Sequence, residues 1–214
     1  MADRVVYINE AGGLEDRGIV DGKIVTHAAD IAAHQYSLML KVRTGEYFHG
    51  VPVYSETLNA LVADQIYAVP FIVERALTID RLAIEVTTGD AGKIARLGIY
   101  NDGANMYPGT LVQDYGTVSV AAAAVVAASA DQALTPGLYW LVVVSDGVPT
   151  LSWHSYISFG LGQTATTFDV PGRVWMGWYK GAVGSGALAD PFVAAGTLQR
   201  QSMPAVLPRL KTLD

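Results

Sequence analysis

The sequence GLYWLVVV at residues 137–144 is followed directly by Ser145, Asp146 and Gly147. Aromatic and β-branched residues favour a strand, and an Asp-Gly pair favours a turn. A strand that is buried on both faces shows a continuous apolar run rather than alternation. This stretch therefore predicts a central strand.

An alternating pattern precedes it, with a change of phase at Asp80. Leu77 and Ile79 alternate with polar neighbours before that residue, and alternate residues of 82–86 are apolar after it. One inserted residue exchanges the two faces of a strand, so we predict a β-bulge here.

Further short segments have strand composition and are separated by turn residues. Residues 65–73 contain Pro70, which predicts an edge strand or a bulge. Residues 120–130 predict a strand, a loop and a second strand. The other predicted strands lie at 95–100, 116–120, 150–159, 173–180 and 205–210. Closely spaced strands without regular helices predict an all-β fold, an antiparallel β-sandwich or jelly roll.

The first 60 residues differ from the rest in the pattern of apolar and turn residues. Short apolar patches are separated by Gly12-Gly13 and by Asp21-Gly22, a hairpin-type signal. We predict an extended N-terminal arm at residues 1–60 and a β-sandwich head domain at residues 61–214.

The composition argues against some classes of function. Of the 214 residues, 51% are hydrophobic and 16% charged, and the net charge is −6, with no basic stripe to neutralise phosphates. We therefore expect no nucleic-acid binding. The mean hydropathy of +0.29 suggests apolar surface hidden between subunits.

Neither membrane insertion nor secretion is predicted. The longest apolar stretch, residues 118–130, is too short for a bilayer of about 30 Å, and the N-terminus shows no signal-peptide pattern. The chain has no cysteine, which excludes disulfides, cysteine zinc sites and thiol nucleophiles.

Several stretches resemble a β-sandwich common in bacteriophage tail and fibre proteins. They are ARLGIYNDG at 95–103, YPGTL at 107–111 and LTPGLYWL at 134–141, with 66–71 and 79–87 fitting the same pattern. The segment HAADIAAH at 27–34 looks like short segments that precede globular heads in phage fibres. The resemblance implies a homotrimer that joins other virion proteins and contacts host cell-surface polysaccharide. Because no signal peptide is predicted, we expect assembly in the host cytoplasm.

The leading hypothesis is a structural virion protein of a tailed bacteriophage: a tail fibre, a head fibre or a baseplate-associated protein. The arm would anchor it to the virion or trimerise it. Two alternatives stay open. One is a capsid decoration or tail-assembly protein without receptor binding, and the other is a bacterial carbohydrate-binding module.

No enzyme is predicted and no cofactor is expected. The nucleophile-elbow pattern Gly-x-Ser-x-Gly is absent. Paired carboxylates could hydrolyse glycosides, but no motif marks a pair. The acidic candidates are Asp80, Glu85, Asp102 and Asp114.

No metal site is predicted from the four histidines. His27 and His34 would share one face of a helix, but no third ligand lies at a suitable spacing. His49 and His154 stand alone in the sequence.

An aromatic group after residue 150 predicts a glycan site, since sugar rings pack on exposed aromatic faces. Alternation along 174–179 places Trp175 and Tyr179 on one face and Met176 and Trp178 on the other. Packing in the core or in an interface is the favoured use of these side chains, and a glycan site is the other. The candidate glycan-binding residues are Trp153, Tyr156, Trp175, Trp178 and Tyr179.

Overall fold

A computed structural model describes residues 5–8, 14–17, 42–51, 53, 55–155, 175–200 and 202–213. The strands in these residues are β1 (Val5–Ile8), β2 (Leu14–Arg17), β3 (Ser55–Ala60), β4 (Ile66–Val73), β5 (Leu77–Thr88), β6 (Ile94–Asp102), β7 (Pro108–Ser119), β8 (Ala124–Leu134), β9 (Gly137–Ser145), β10 (Thr150–Ser155), β11 (Trp175–Lys180), β12 (Thr197–Arg200), β13 (Ser202–Pro204) and β14 (Leu207–Leu213). Within these ranges no helix could cross a membrane.

Strands β3 to β14 form two six-stranded antiparallel sheets, which confirms the predicted sandwich. Sheet I contains β13, β10, β5 and β14 in that order, with β3 added to β10 and β8 added to β5. Sheet II has the order β12-β11-β4-β9-β6-β7.

The N-terminal region is a separate compact unit, Met1–Leu40. Within it β1 and β2 pair antiparallel, from Val5 opposite Arg17 to Ile8 opposite Leu14. The second unit starts at Lys41 and contains β3, whereas the sequence pattern places the boundary at residue 60. An anchoring or trimerising role for the arm stays a prediction.

Strand β9 lies inside sheet II between β4 and β6, which confirms the central strand predicted from GLYWLVVV. Alternate residues of a strand point to opposite faces, so a continuous apolar run needs cover on both sides. One face of β9 carries Leu141 and Val143, which pair with Val69 and Tyr67 of β4. Tyr67 packs edge-on against Trp153 of sheet I, at 5.3 Å between ring centroids, so this face contacts the other sheet.

The opposite face of β9 has a second apolar cluster. Its buried members include Trp140, Val142 and Val144, packed with Phe192. Side chains of the segment after β11 cover it, namely Val183, Leu188 and Val193. Both faces of sheet II are therefore apolar and covered around β9.

Hydrogen bonds fix that covering segment to sheet II. The Tyr100 hydroxyl donates to the Ala189 carbonyl at 2.6 Å, and the Tyr107 hydroxyl donates to the Val193 carbonyl at 2.5 Å. The buried indole of Trp140 donates to Asp102 at 2.9 Å, so its one polar atom is satisfied.

The predicted irregularity at Asp80 is confirmed. The register of β5 shifts there against both β8 and β14. The Asp80 carboxylate accepts a hydrogen bond of 2.8 Å from Nε of Arg209, on β14. The prediction for residues 120–130 is confirmed for the loop and the second strand, since β8 begins at Ala124, but the first strand, β7, already ends at Ser119.

The prediction that Pro70 marks an edge strand is wrong. Strand β4 lies between β11 and β9. Its pairing with β11 covers only Ile66 to Ala68, however, and the N–H of Ile72 donates to Gly50 rather than to a strand of sheet II. Alternate N–H groups of a strand point to the same side, so an N–H at position 70 would point away from β9, as that of Ile72 does. The pairing with β11 has ended before this position, and proline is therefore tolerated there.

Candidate metal-binding site

Strands β10 and β3 place a histidine opposite a glutamate. His154 of β10 pairs directly with Glu56 of β3. Directly opposed residues in antiparallel strands have Cβ atoms roughly 5 Å apart on the same face. The pairing therefore brings an imidazole and a carboxylate together although 98 positions separate them in the chain.

A second histidine reaches this point from the segment that precedes β3. His49 lies between two anchored residues: the N–H of Phe48 donates to Pro208, and the carbonyl of Gly50 accepts from Ile72, both at 3.1 Å. A Cβ on Gly50 would lie 1.8 Å from the Phe71 ring, so only glycine fits there. Contacts on both sides thus fix the backbone at His49.

The three side chains form a compact cluster. Nδ1 of His49 lies 3.0 Å from Nε2 of His154, a hydrogen-bond distance at which one ring donates and the other accepts. The ring centroids are 4.6 Å apart, with an interplanar angle of 62°. One potential ligand atom from each of His49, Glu56 and His154 lies within 4.8 Å of the other two.

Burial is graded across the cluster. His154 is only 2% exposed, His49 is half-buried and Glu56 is exposed. Nδ1 of His154 is buried and has no hydrogen-bond partner among the described residues. A buried polar atom without a partner costs free energy, and Nε2 is the ring nitrogen of His154 that has a partner.

Both imidazoles are held neutral. Burial, with a smaller effect from the nearby His49, lowers the pKa of His154 to about 4. Burial also lowers the pKa of His49, against an opposing effect of the Glu56 carboxylate. Neutral imidazole is the form that binds metal ions.

The expectation that His49 and His154 stand alone is wrong. The two histidines are 105 positions apart in the chain. Sequence spacing indicates metal ligands only when they lie in the same helix or hairpin. The sequence around Trp153 and His154 predicts a strand, but it does not show which strand pairs with it. The other two histidines, His27 and His34, lie outside the described residues.

The structure places three of the five aromatic residues predicted to bind glycan. Trp153 is 4% exposed and packs on Tyr67, so a sugar could reach it only if this packing opened. Trp178 and Tyr179 are half-buried on neighbouring positions of β11. Tyr156 and the side chain of Trp175 lie outside the described part of the chain.

Trp178 and Tyr179 have different neighbours. Trp178 contacts Tyr107 edge-on at 4.8 Å between centroids, and its indole donates to the Met106 carbonyl at 2.8 Å. The ring of Tyr179 lies 6.4 Å from that of Tyr67. The described aromatic residues thus do not form one surface, and glycan binding by them stays a prediction.

Each of the four acidic candidates for glycoside hydrolysis bonds a different group. Asp80 accepts a hydrogen bond from Arg209. Both carboxylate oxygens of Asp114 accept from Nη1 of Arg96, at 2.9 Å and 3.0 Å. Asp102 accepts from Trp140, as described above, and Glu85 accepts from the Ser152 hydroxyl at 2.5 Å. These contacts give all four carboxylates structural partners.

Comparisons with known proteins identify no family. No protein-family model matches the chain, and no curated protein matches it significantly. Among solved structures, the chain is similar to the crystal structure of the cysteine protease and lectin-like domains of Cwp84, a surface layer associated protein of Clostridium difficile. The TM-score is 0.40 and the identity 10%, over 72% of this chain and 36% of that chain. This chain thus spans about a third of that protein, and a likeness this weak assigns it no function.

Proposed function

We propose that the protein is a non-enzymatic structural component of a tailed-bacteriophage virion: a tail fibre, a head fibre or a baseplate-associated protein. The observation that carries the proposal is the fold of the stretch that resembles phage tail and fibre proteins. Residues 65–145 contain six consecutive antiparallel strands, β4 to β9, distributed over both sheets of the sandwich. The same strands contribute most of the buried apolar residues in the described part of the chain.

A trimeric assembly is part of the proposal, and apolar side chains on sheet I support it. Leu58 on β3 is 59% exposed and Val125 on β8 is 64% exposed. Register places Leu58 opposite Ser152 and Val125 opposite Glu85, and Ser152 bonds to Glu85. Both apolar side chains therefore lie in one row across four strands, where a neighbouring subunit would cover them.

Oligomeric state is the first test. We expect the full-length chain to have three times its mass of 22.7 kDa in native mass spectrometry. The variants Leu58→Lys and Val125→Lys should shift the population to monomer, because each would replace an exposed apolar side chain of the proposed contact with a charged one. Thr117→Lys, on an exposed position of β7 in sheet II, is the matched control and should remain trimeric. A monomeric wild-type protein would contradict the trimer.

Location on a virion is tested by immunogold electron microscopy. Antibodies against the purified head should label one part of the phage particles produced by cells that carry the gene. Label at the tail, the head or the baseplate would assign the position. Particles that contain the protein in no part would overturn the virion proposal.

The proposal includes recognition of host-surface polysaccharide by the head. Trp178→Ala and Tyr179→Ala remove the two half-buried candidates on β11. Loss of binding to host cells in both variants, with far-UV circular dichroism unchanged, would support a glycan site there. Unchanged cell binding in both would leave these aromatic residues in a packing role.

A further inference from the structure

We propose that His49, Glu56 and His154 bind one divalent transition-metal ion of the zinc class. The donor set supports this assignment. Two imidazole nitrogens and one carboxylate match the preference of Zn²⁺ for nitrogen and oxygen ligands, and His₂Glu sites are known among zinc proteins. An all-oxygen set would be expected for Ca²⁺ or Mg²⁺.

The distances also fit. Two nitrogens bound tetrahedrally at about 2.0–2.1 Å from Zn²⁺ lie roughly 3.4 Å apart. Nδ1 of His49 and Nε2 of His154 are 3.0 Å apart, so the rings need to separate by a few tenths of an ångström. All three ligand atoms already lie within 4.8 Å of one another.

The arrangement of the backbone makes the site rigid. His154 and Glu56 are directly paired across β10 and β3, and His49 is fixed between Phe48 and Gly50. Ligands held in place before binding lose little conformational entropy when the ion binds.

The gradient of burial gives the ion a route and an open coordination position. His154 forms the buried end of the cluster and Glu56 the exposed end. Three protein ligands leave one of four tetrahedral positions for water or another donor. The buried Nδ1 of His154 has no partner among the described residues, so the ring bonds through Nε2, the atom that would face the ion.

The three ligands come from separate stretches of backbone, which suggests a structural use. His49 belongs to the segment that leads into the sandwich, near the start of the compact unit at Lys41. Glu56 and His154 belong to sheet I. A bound ion would fasten that incoming segment to the sheet, in addition to its hydrogen bonds.

The test uses the full-length protein, stripped with a chelator and titrated with Zn²⁺ alone in a calorimeter. Metal content after dialysis is measured by mass spectrometry. We expect one Zn²⁺ per chain. At a free Zn²⁺ concentration of about 100 times Kd, the thermal midpoint should rise by roughly 5–10 °C, and a chelator should reverse this rise.

Three variants assign the ligands. Loss of a partner behind a ligand already costs about 10–100-fold in metal affinity, so His49→Gln, Glu56→Gln and His154→Gln should each weaken binding by more than roughly 100-fold. Glu56 is exposed, so Glu56→Gln keeps the fold and decides the question if a histidine variant fails to fold. Co²⁺ absorption bands of a tetrahedral site should disappear in the same variants.

Two controls separate this site from other donors. Glu74→Gln changes a second exposed glutamate and should leave Zn²⁺ affinity unchanged. The double variant His27→Gln/His34→Gln should also leave it unchanged. Absence of stoichiometric Zn²⁺ binding in the wild type, or full affinity in Glu56→Gln and His49→Gln, would overturn the proposal and leave a hydrogen-bonded histidine pair.

Discussion

At the scale of single residues, Asp80 shows how an irregular position can be stabilised. The register shift in β5 brings its carboxylate to Arg209 on β14. Hydrogen bonds from Arg209 lower the pKa of Asp80 below its usual 3.8, against the opposing effect of burial. A carboxyl group whose pKa is lowered on folding stabilises the folded state at a pH above its unfolded pKa.

The variant Asp80→Asn should unfold at a lower urea concentration than the wild type at pH 7, because it lacks the charged hydrogen bonds to Arg209. This difference should shrink as the pH falls below 3.8 and through the lowered pKa, where the wild-type carboxylate also becomes neutral. Urea unfolding curves at pH 7 and at pH 3 measure the difference in the free energy of unfolding between the variant and the wild type at each pH.

The control is Asp131→Asn, which removes the exposed partner of Lys211 on the same sheet. Exposed ion pairs contribute little, so its free energy of unfolding should stay within about 0.5 kcal/mol of the wild type. An equal loss in Asp80→Asn at both pH values would show that the effect does not depend on ionisation.

The second prediction concerns the contact that fixes His49. Gly50→Ala should lower the free energy of unfolding by about 1–3 kcal/mol, because the new Cβ would overlap the buried Phe71 ring. Gly186→Ala meets no atom within 4 Å and should change stability by less than about 0.5 kcal/mol. Chemical unfolding curves compare the two, and equal stability would contradict the tight contact.

At the scale of elements, strand β9 separates two apolar layers. Leu141 faces sheet I, and its neighbour Val142 faces the cluster that contains Phe192. Both side chains are buried although they point in opposite directions. A two-layer sandwich with a solvated outer face would bury only one of them.

The third prediction follows from this arrangement. Leu141→Ala should destabilise the protein by about 2–5 kcal/mol and Val142→Ala by about 2 kcal/mol, because both leave buried cavities. Leu213→Ala is the control, since Leu213 is 41% exposed at the end of β14, and it should cost less than about 0.5 kcal/mol. Urea unfolding monitored by tryptophan fluorescence measures all three. A neutral Val142→Ala would show that the outer face of sheet II is not packed.

The sequence predicts elements whose signals are local. The apolar run of β9 and the phase change at Asp80 can both be read from a dozen neighbouring residues. Pro70 misleads, because its missing N–H predicts a sheet edge, whereas β11 simply ends its pairing before that residue. The second apolar layer has no local signal, because its cover comes from Val183 to Val193, far along the chain from β9.

The candidate metal site could not be predicted for the same reason. His49 has no histidine or acidic motif around it, and His154 follows Trp153 in an ordinary strand. Only the pairing of β10 with β3 and the path of the segment before β3 bring the ligands together. Sequence spacing shows a metal site when its ligands share one helix or hairpin, and here they do not.

At the scale of the whole molecule, the sandwich is built around sheet II. Sheet I packs on one of its faces through contacts such as Trp153 with Tyr67, and the segment after β11 packs on the other. Arg96 helps to hold that segment, since its guanidinium bonds both Asp114 and the Ser185 carbonyl. The most shielded strands of the described chain are therefore β4, β6 and β9.

Covering sheet II on both faces has a consequence for isotope exchange. Backbone amides of β9 are hydrogen-bonded to strands on either side and shielded above and below, so deuterium can reach them only when the whole compact unit opens. Hydrogen–deuterium exchange followed by mass spectrometry should show residues 139–144 as the slowest in the described chain, with rates that follow global stability. Peptides from β12, at the margin of the same sheet, should exchange far earlier through local fraying.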